Sequence, residues 1–574
     1  MTAPATADRA VPGLRRRRLG VVHLVFFTVA ASAPLTVLAG GVTTAYAVAG
    51  NAGVPLAFLL VAAVLVLFAV GYAAMSRHVA NAGAFYAYLA RGLGRPAGVA
   101  GSFVALVSYN AIQISLYGLF GSTLSDLVAE YADLRIPWWA YAVMIMGVVG
   151  LLGMTRVDLN ARVLAVVLVV EVLVVVGYDV AGFSHPAGGA VPSAPLEPAT
   201  LFASGIGAVI AFTVASFTGF ESSAIYAEEA KDPRRTVARA TYAAVLFTGV
   251  FYAVSAWAMV AATGTAQLQE RAGSEGPGLV FGPLGEMFGP WAADLAAVLL
   301  LTSVFAALLS FHNGVARYLF ALGRERVFPA ALATVGARSG GPVAGSLAQS
   351  ALAFVVVLAF ALAGADPMLS LFAWFSGLSA LGVVLLMAGT SLAVLGFFRR
   401  DRRAASGTSV WARLIAPALA TVLLVAVFVV LVGNFDALLG SDPSSPARWV
   451  LTVLVPLAAL AGVWWARRLR RTRPDVYDGI GGGAPTPDGV EQATGGPAVY
   501  RRRSGEVGPA DRIGAGSPVP GSADATGSTG SGDGSGAEEP PDTTAFPLPA
   551  QVRGSTGGDI GSDDEHTTQL PRVD

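Results

Sequence analysis

Twelve apolar segments recur along the first 470 residues, each about long enough to cross a lipid bilayer as an α-helix. Inside lipid only helices and closed barrels satisfy all their backbone polar groups. The pattern therefore predicts an all-α polytopic membrane protein with 12 transmembrane helices. The segments occupy residues 21–48, 54–75, 98–128, 137–155, 160–181, 201–227, 238–263, 291–322, 345–364, 367–397, 411–433 and 448–467.

Composition agrees with a membrane protein and excludes several kinds of chemistry. Charged residues make up 13% of the chain and hydrophobic residues 54%, whereas soluble domains carry about 25% charge. The sequence has no cysteine, which excludes disulfides, thiolate metal sites and cysteine nucleophiles. We find no phosphate loop, histidine cluster or nucleophile motif, so we expect no enzyme, no cofactor, no metal and no nucleic-acid partner. Basic runs such as 399–403 are expected to contact anionic lipid of the bilayer.

Arginine and lysine are distributed unequally between the two sets of loops. One side of the predicted membrane carries 27 of them and the other carries 3. Because basic loops stay on the cytoplasmic side, both termini are expected in the cytoplasm of a multi-pass plasma-membrane protein. The predicted domains are a cytoplasmic segment (1–20), a transporter domain (21–470) and a tail (474–574). The tail is rich in Gly, Ser and Pro and is predicted to be disordered.

The sixth apolar segment has a polar centre. Ser216, Thr218, Gly219 and the ionisable Glu221 lie within it. A carboxylate at mid-membrane depth is costly and usually has a function. A glycine beside hydroxyls is a place where a spanning helix can break and still satisfy its backbone. We therefore predict a broken helix here.

The first segment also contains an interruption. Pro34 cannot donate a backbone hydrogen bond and disfavours helical geometry at Ala33. Ser32 and Thr36 flank it, and Gly40–Gly41 follow. Alone, this pattern would equally fit a simple proline kink. However, paired interruptions at the start of two successive sets of five helices are typical of transporters with inverted repeats. Such breaks offer N–H groups to a carboxylate and carbonyls to an ammonium group.

Three motifs make a family resemblance specific. They are FTGFESSAIYAEEAKDPRRTVARA in the sixth segment, NAGAFYAYLARGLGRPAG after the second, and FHNGVARYLFALGRERVFPAAL at the end of the eighth. Together they resemble the amino acid–polyamine–organocation (APC) superfamily of permeases over roughly residues 20–470. The resemblance implies a LeuT-type fold, in which helices 1–5 and 6–10 are inverted repeats and two further helices are peripheral.

The resemblance also implies a substrate site at the two breaks. Members often have a Gly-Ser-Gly-like run in helix 1, but this chain has 31–34 (ASAP) and a later glycine pair. Either place can be the unwound segment, and 32–36 is favoured because it leaves about three turns on each side. The candidate substrate-binding residues are Ser32, Ala33, Pro34, Leu35, Thr36, Gly40, Gly41, Ser216, Phe217, Thr218 and Gly219.

The third segment carries a polar and aromatic stripe. Tyr109, Gln113 and Tyr117 are spaced i, i+4, i+8 and share one helix face. Tyr109 and Gln113 are therefore candidates for a substrate wall. Ordinary hydrogen bonding between helices explains the stripe equally well.

Four charged residues are candidates for coupling or gating. Glu171 is a lone acid in the fifth segment, where some proton-coupled family members have a lysine. It either carries a coupled proton or is a buried acid paired with a hydroxyl from another helix. By resemblance, Glu221 belongs to an inner gate, or else it is a structural carboxylate at the break. Arg317 is expected to pair with Glu228 or Glu229 at a cytoplasmic gate.

The sequence thus predicts a secondary active transporter for an amino acid or related amine. Alternating access with proton symport is favoured over sodium coupling, because Glu171 and Glu221 are available. A weak sodium signature remains in Thr302 and Ser303, which resemble the hydroxyl ligands of sodium-coupled relatives. The alternatives are an exchanger and a membrane sensor that binds the ligand without moving it.

Overall fold

A computed structural model describes residues 20–79, 85–154, 161–220, 233–336, 339–439 and 446–482. Within these ranges every regular element is a helix. The helices are α1 (Val21–Ser32), α2 (Pro34–Ala49), α3 (Val54–Ser76), α4 (Phe85–Gly92), α5 (Arg95–Ala132), α6 (Trp138–Gly153), α7 (Ala161–Ser184), α8 (Ile206–Phe217), α9 (Pro233–Thr263), α10 (Leu268–Glu275), α11 (Gly278–Phe288), α12 (Pro290–Arg324), α13 (Val343–Leu362), α14 (Pro367–Arg400), α15 (Trp411–Gly433), α16 (Pro446–Thr472) and α17 (Pro474–Gly479). Helical turns of three to five residues lie at Ala194–Leu196, Pro198–Leu201, Ala330–Ala333, Arg402–Ser406 and Phe435–Leu439.

Helix length and apolarity establish a multi-pass membrane protein. In the described ranges, nine helices are long and apolar enough to span a bilayer. Three shorter apolar helices are α2, α6 and α8. Each of the twelve predicted segments overlaps one of these twelve helices. Two of the three short helices, α2 and α8, lie in the segments that were predicted to be interrupted.

The centre of the fold is α5, which packs against α6, α12, α14 and α16. In the most apolar 18-residue stretch of α5, 78% of the sequence is buried inside the protein, compared with 22% in the corresponding stretch of α16. α14 approaches α5 closely at Gly382, where a Cβ would have to displace the Ser108 hydroxyl. Small residues at contacts of this kind let membrane helices pack tightly without a hydrophobic driving force.

Three helices, α13, α15 and α16, expose large apolar side chains at the periphery. Leu362 is 81% exposed, Val422 67% and Leu460 65%. A soluble protein rarely shows such extended apolar surface. In a membrane protein these side chains contact lipid tails, so this surface marks the edge of the helix bundle.

The segment that follows α16 differs from the sequence-based expectation. Disorder was predicted from Pro474 onward, but α17 forms a helix and Ile480 is buried. The N–H of Gly481 donates to Glu325 Oε2 at 2.9 Å and to Tyr86 Oη at 3.2 Å. The predicted disordered tail therefore cannot begin before residue 483, and the rest of it lies outside the described residues.

Tyr86 joins three parts of the chain at this point. Its hydroxyl donates to Glu325 Oε2 at 2.5 Å and accepts from Gly481. Burial and the neighbouring Glu325 carboxylate raise the pKa of Tyr86 well above its usual value, so the hydroxyl remains protonated. Arg95 adds an ion pair to Asp478 at 3.0 Å. These contacts fix α17 against α4, the start of α5 and the end of α12.

Tyr86→Phe should lower the stability of the purified protein by about 1–2 kcal/mol, because it removes a charge-assisted hydrogen bond from a buried site. The thermal unfolding midpoint in detergent measures this change. Tyr141→Phe is the matched control, since the Tyr141 hydroxyl has no partner in the described part of the chain. Equal midpoints for the two variants would contradict the contact.

Candidate functional site

The first apolar segment breaks at Ala33. α1 ends at Ser32, and Ala33 has a left-handed backbone with φ 47° and ψ 81°. This conformation costs an L-residue about 1–2 kcal/mol. α2 restarts at Pro34, where the missing N–H sacrifices no helical hydrogen bond. Gly40–Gly41, the other candidate place, lies inside α2 in a π-helical stretch, so the described break falls in the favoured 32–36 segment.

Glu171 and Ser303 satisfy the backbone groups that this break frees. The N–H of Leu35 donates to the Glu171 carboxylate. The N–H of Thr36 donates to Ser303 Oγ at 3.3 Å, and that hydroxyl donates to Glu171 Oε2 at 2.7 Å. Glu171 is 2% exposed. The carboxylate thus stabilises the positive N-terminal end of α2, and the pairing with a hydroxyl of another helix is present.

The sixth apolar segment breaks after Phe217. Thr218 is extended with ψ 128°, and Gly219 has φ 109°, which glycine adopts at little cost. The N–H of Thr218 donates to the Ala215 carbonyl at 3.0 Å, and the N–H of Phe220 donates to the Phe217 carbonyl at 3.1 Å. The described part of α8 therefore ends here and presents the negative end of its dipole.

The two breaks are in direct contact. Ser32 Oγ donates to the Ser216 carbonyl at 3.3 Å. Tyr252 on α9 lies 2.9 Å from the same Oγ and donates to the Ser32 carbonyl at 3.3 Å. A movement of α1 at its break therefore disturbs both α8 and α9.

A cavity of about 50 Å³ lies between the two breaks. The space can hold a few water molecules. Its remaining walls come from α5, α12 and α14. The predicted site residues that line it are Ser32, Ala33, Thr36, Gly41, Ser216 and Thr218. The predicted residues that lie beside it without lining it are Pro34, Leu35, Gly40, Phe217 and Gly219.

Two hydroxyls in this wall are available to a ligand. Thr36 Oγ1 and Thr218 Oγ1 are buried and have no hydrogen-bond partner in the described ranges. Native proteins pair nearly all buried polar atoms. The cavity also lies at the positive end of α2 and the negative end of α8. Because Glu171 and Ser303 already accept from the N–H groups at the start of α2, the cavity offers a ligand two hydroxyls and the negative end of α8.

The polar stripe on α5 lies in an interhelical network instead of at the cavity. Gln113 Nε2 donates to Tyr117 Oη at 3.1 Å and lies 3.2 Å from His312 Nδ1. Gln113 Oε1 accepts a hydrogen bond from Gln349 on α13. Tyr109 packs edge-on against Tyr318 and does not line the cavity. Of the two explanations of this stripe, the described contacts correspond to hydrogen bonding between helices.

The cavity wall on α5 comes from Ile112 and Leu116, which the sequence did not single out. Each precedes a stripe residue by one position, and one position rotates the side chain by about 100° around the helix. An apolar residue that lines a cavity has the same sequence signature as one that packs against another helix. Ser376 on α14 also lines the cavity and donates to Ser115 Oγ at 3.2 Å.

Much of the predicted gating machinery cannot be placed. Glu221 and Glu228 lie outside the described residues, as does Glu229. Arg317 is described on α12 and is 7% exposed. Its predicted pairing with Glu228 or Glu229 therefore remains a prediction.

A second, larger cavity of about 700 Å³ lies one turn further along α2. Thr43 and Thr44 line it, and α10 and α11 form part of its wall. We name this cavity the acidic vestibule, because five carboxylates line it: Asp126, Glu130, Glu275, Asp294 and Asp366. Arg271 pairs with Glu275 at 2.7 Å.

Ser303→Ala should destabilise the protein by about 1–3 kcal/mol, because it leaves the Thr36 N–H and one Glu171 oxygen without their partner in a buried site. The control is Ser391→Ala, since the buried Ser391 hydroxyl has no hydrogen-bond partner in the described ranges. Thermal unfolding of both variants in detergent measures the difference. If Ser303→Ala unfolds with the midpoint of the control, the hydroxyl does not support the break.

Comparison with known proteins identifies the family of this chain. The chain is 24% identical over 332 residues to the low-affinity putrescine importer PlaP of Escherichia coli, covering 55% of this chain and 68% of the importer. It is 25% identical over 308 residues to the branched-chain amino acid permease BcaP of Lactococcus lactis, covering 50% and 64%. A family model described as amino acid permease matches residues 23–475. The chain therefore belongs to the amino acid permease family, within the APC superfamily.

Proposed function

We propose that this protein is a secondary active transporter that moves an amino acid or related amine across the plasma membrane. Alternating access and proton symport are the proposed mechanism. Membership of the amino acid permease family supports transport. Among the relatives, one is named as a putrescine importer and one as a branched-chain amino acid permease, which supports amino acids and amines as the substrate class.

The observation that carries the proposal is the pair of helix breaks at one cavity. The free Thr36 hydroxyl, at the start of α2, can donate to a carboxylate. The end of α8 suits an ammonium group, because its last carbonyls carry partial negative charge. An amino acid zwitterion presents these two groups on one carbon atom. The proposed substrate therefore spans the gap between the two half-helices.

The proposed topology is a LeuT-type fold with 12 spanning helices and both termini in the cytoplasm. The arginine and lysine excess of 27 to 3 supports the orientation. In this orientation the acidic vestibule faces outward, and α17 lies on the cytoplasmic side. Substrate would pass from the vestibule, beside Thr43 and Gly41, to the central cavity.

Proton coupling is proposed through Glu171. Its carboxylate contacts both the restarted helix α2, through the Leu35 N–H, and α12, through Ser303. Protonation would weaken its hold on the positive end of α2 and free that helix to move. The contact also favours proton over sodium coupling, since the Ser303 hydroxyl, a candidate sodium ligand, donates to Glu171 here.

Reconstitution of the full-length protein into proteoliposomes tests transport directly. We expect tritiated amino acid or amine to accumulate when an inward proton gradient is imposed, and the accumulation to collapse with a protonophore. Uptake that requires unlabelled substrate inside the vesicles would instead identify an exchanger. Thermal stabilisation by a ligand that never accumulates would identify a sensor and contradict transport.

Glu171→Gln should flatten the pH dependence of uptake, because the glutamine amide does not titrate. Uptake by the unsubstituted protein should change by up to about ten-fold per pH unit where the coupling group titrates. Initial rates at a series of external pH values measure this. Asp179→Asn on the same helix is the control, since Asp179 accepts from Ser255 on α9 and not from the break. A pH profile of Glu171→Gln that matches the unsubstituted protein would remove the assignment.

A further inference from the structure

A buried cluster of polar groups joins four helices beside the central cavity, and neither the two breaks nor the proposed coupling uses it. At its centre is His312 on α12, whose side chain is fully buried. We name it the histidine chain, and its members are Gln113 and Tyr117 of α5, Gly150 of α6, His312 of α12, and Ser346 and Gln349 of α13. We propose that the histidine chain fixes the cavity wall on α5 and α12 while His312 is neutral, and that a proton added to His312 releases this wall.

A backbone carbonyl sets the direction of the histidine chain. The Gly150 carbonyl can only accept, and Ser346 Oγ donates to it at 3.2 Å. The Ser346 hydroxyl has a single proton, so it accepts at its 2.6 Å contact with His312 Nε2. The proton of the neutral imidazole therefore lies on Nε2, and Nδ1 is an acceptor. Gln113 Nε2 supplies the matching donor at 3.2 Å, while Gln113 Oε1 accepts from Gln349.

A second proton on the imidazole finds no acceptor in this chain. Protonated histidine donates from both nitrogens, so its Nδ1–H would face the N–H group of Gln113. From α5 the chain includes the ionisable Tyr117, which accepts from Gln113; from α6 and α13 the described partners are a carbonyl, a hydroxyl and an amide. Glu171 contacts α12 nine residues before His312, about 14 Å along the helix axis, and Arg317 lies about 140° around that axis. A buried charge without a partner is costly, so the chain suits only the neutral ring.

The ring also has no room to turn away from Gln113. Gly153 of α6 packs directly on it, and a Cβ at that position would overlap the imidazole. Because protein interiors are close-packed and transmit strain, repulsion between the two donors is relieved by a shift of α5 relative to α12. Adding a proton to His312 therefore acts on the helices and not on one side chain alone.

Two residues of the cavity wall are next in sequence to this contact. Ile112 precedes Gln113 on α5, Phe311 precedes His312 on α12, and both line the central cavity. The contact between Gln113 and His312 therefore fixes the rotation of both helices relative to the cavity. Gln113 and His312 are positioning residues, because they act through Ile112 and Phe311 and do not line the cavity themselves. The cavity is the site of the proposed function, so the inference rests on that function, but release of the wall is measured without transport.

Thiol labelling measures the release of the wall, since the chain has no cysteine. Ile112→Cys places a single thiol in this wall, and Phe212→Cys places one in the cavity wall on α8, which the histidine chain does not join. Full-length variants in detergent are labelled with dithiodipyridine, which reacts with thiols in acid, from about pH 8 to about pH 4, a range around the ordinary histidine pKa of about 6.5. We expect the labelling rate of Ile112→Cys relative to Phe212→Cys to rise several-fold in acid. The ratio should stay constant when both variants also carry His312→Gln, which does not titrate. A ratio that is flat with His312 present, or that rises equally with His312→Gln, would overturn the inference.

Gln113→Glu supplies the acceptor that protonated His312 lacks. A carboxylate at position 113 accepts from Nδ1–H and still accepts from Gln349. The thermal unfolding midpoint in detergent should fall towards acid pH, because the unfolded state takes up the proton that the chain rejects, and Gln113→Glu should reduce this fall. Asn110→Asp is the control, since it makes the same amide-to-acid change on α5 at a residue that bonds to the Leu106 carbonyl. An equal fall in the two variants would contradict the role of His312. This measurement decides even where Ile112→Cys fails to fold, and a failure of transport in proteoliposomes changes neither result.

Discussion

Backbone groups freed inside a membrane are the constraint on which this structure depends. In lipid an unpaired N–H or carbonyl costs several kcal/mol. Glu171 and Ser303 stabilise the break at Ala33, because they receive the N–H groups of α2. One carboxylate on α7 thus holds the position of α2 relative to α12. A change in the charge of Glu171 therefore changes the contact that stabilises the break.

The same constraint explains how the cavity forms between the breaks. α1 and α8 each end at a helix break, and the hydrogen bond from Ser32 Oγ to the Ser216 carbonyl joins the two ends. Helices α5, α12 and α14 then close the space with mostly apolar side chains. The result is a cavity whose lining combines hydroxyl groups with aliphatic and aromatic side chains. The hydroxyls and the carbonyl end of α8 are the groups that the proposed site offers to the polar part of a substrate.

Several features of the site follow from sequence, and others do not. Pro34 and Gly219 have local physical reasons to interrupt a helix, so the two breaks could be predicted. The orientation of α5 could not, because Gln113 and Leu116 occupy neighbouring faces and only packing against α12 and α13 decides which face meets the cavity. The ordered residues around Gly481 were missed for a similar reason. A Gly- and Pro-rich composition predicts disorder, but a few specific contacts to Tyr86 and Glu325 order the chain there.

The sequence by itself determined the membrane class, the positions of twelve apolar segments, both helix breaks and the family. These depend on local periodicity, on hydrophobic length and on motifs that are contiguous in the chain. Tertiary structure alone decided that Glu171 lies at the first break, since its partners Leu35 and Ser303 are far away in sequence. It also decided which apolar side chains line the cavity. Both depend on how helices rotate and pack against one another, and hydropathy along one chain carries no information about that rotation.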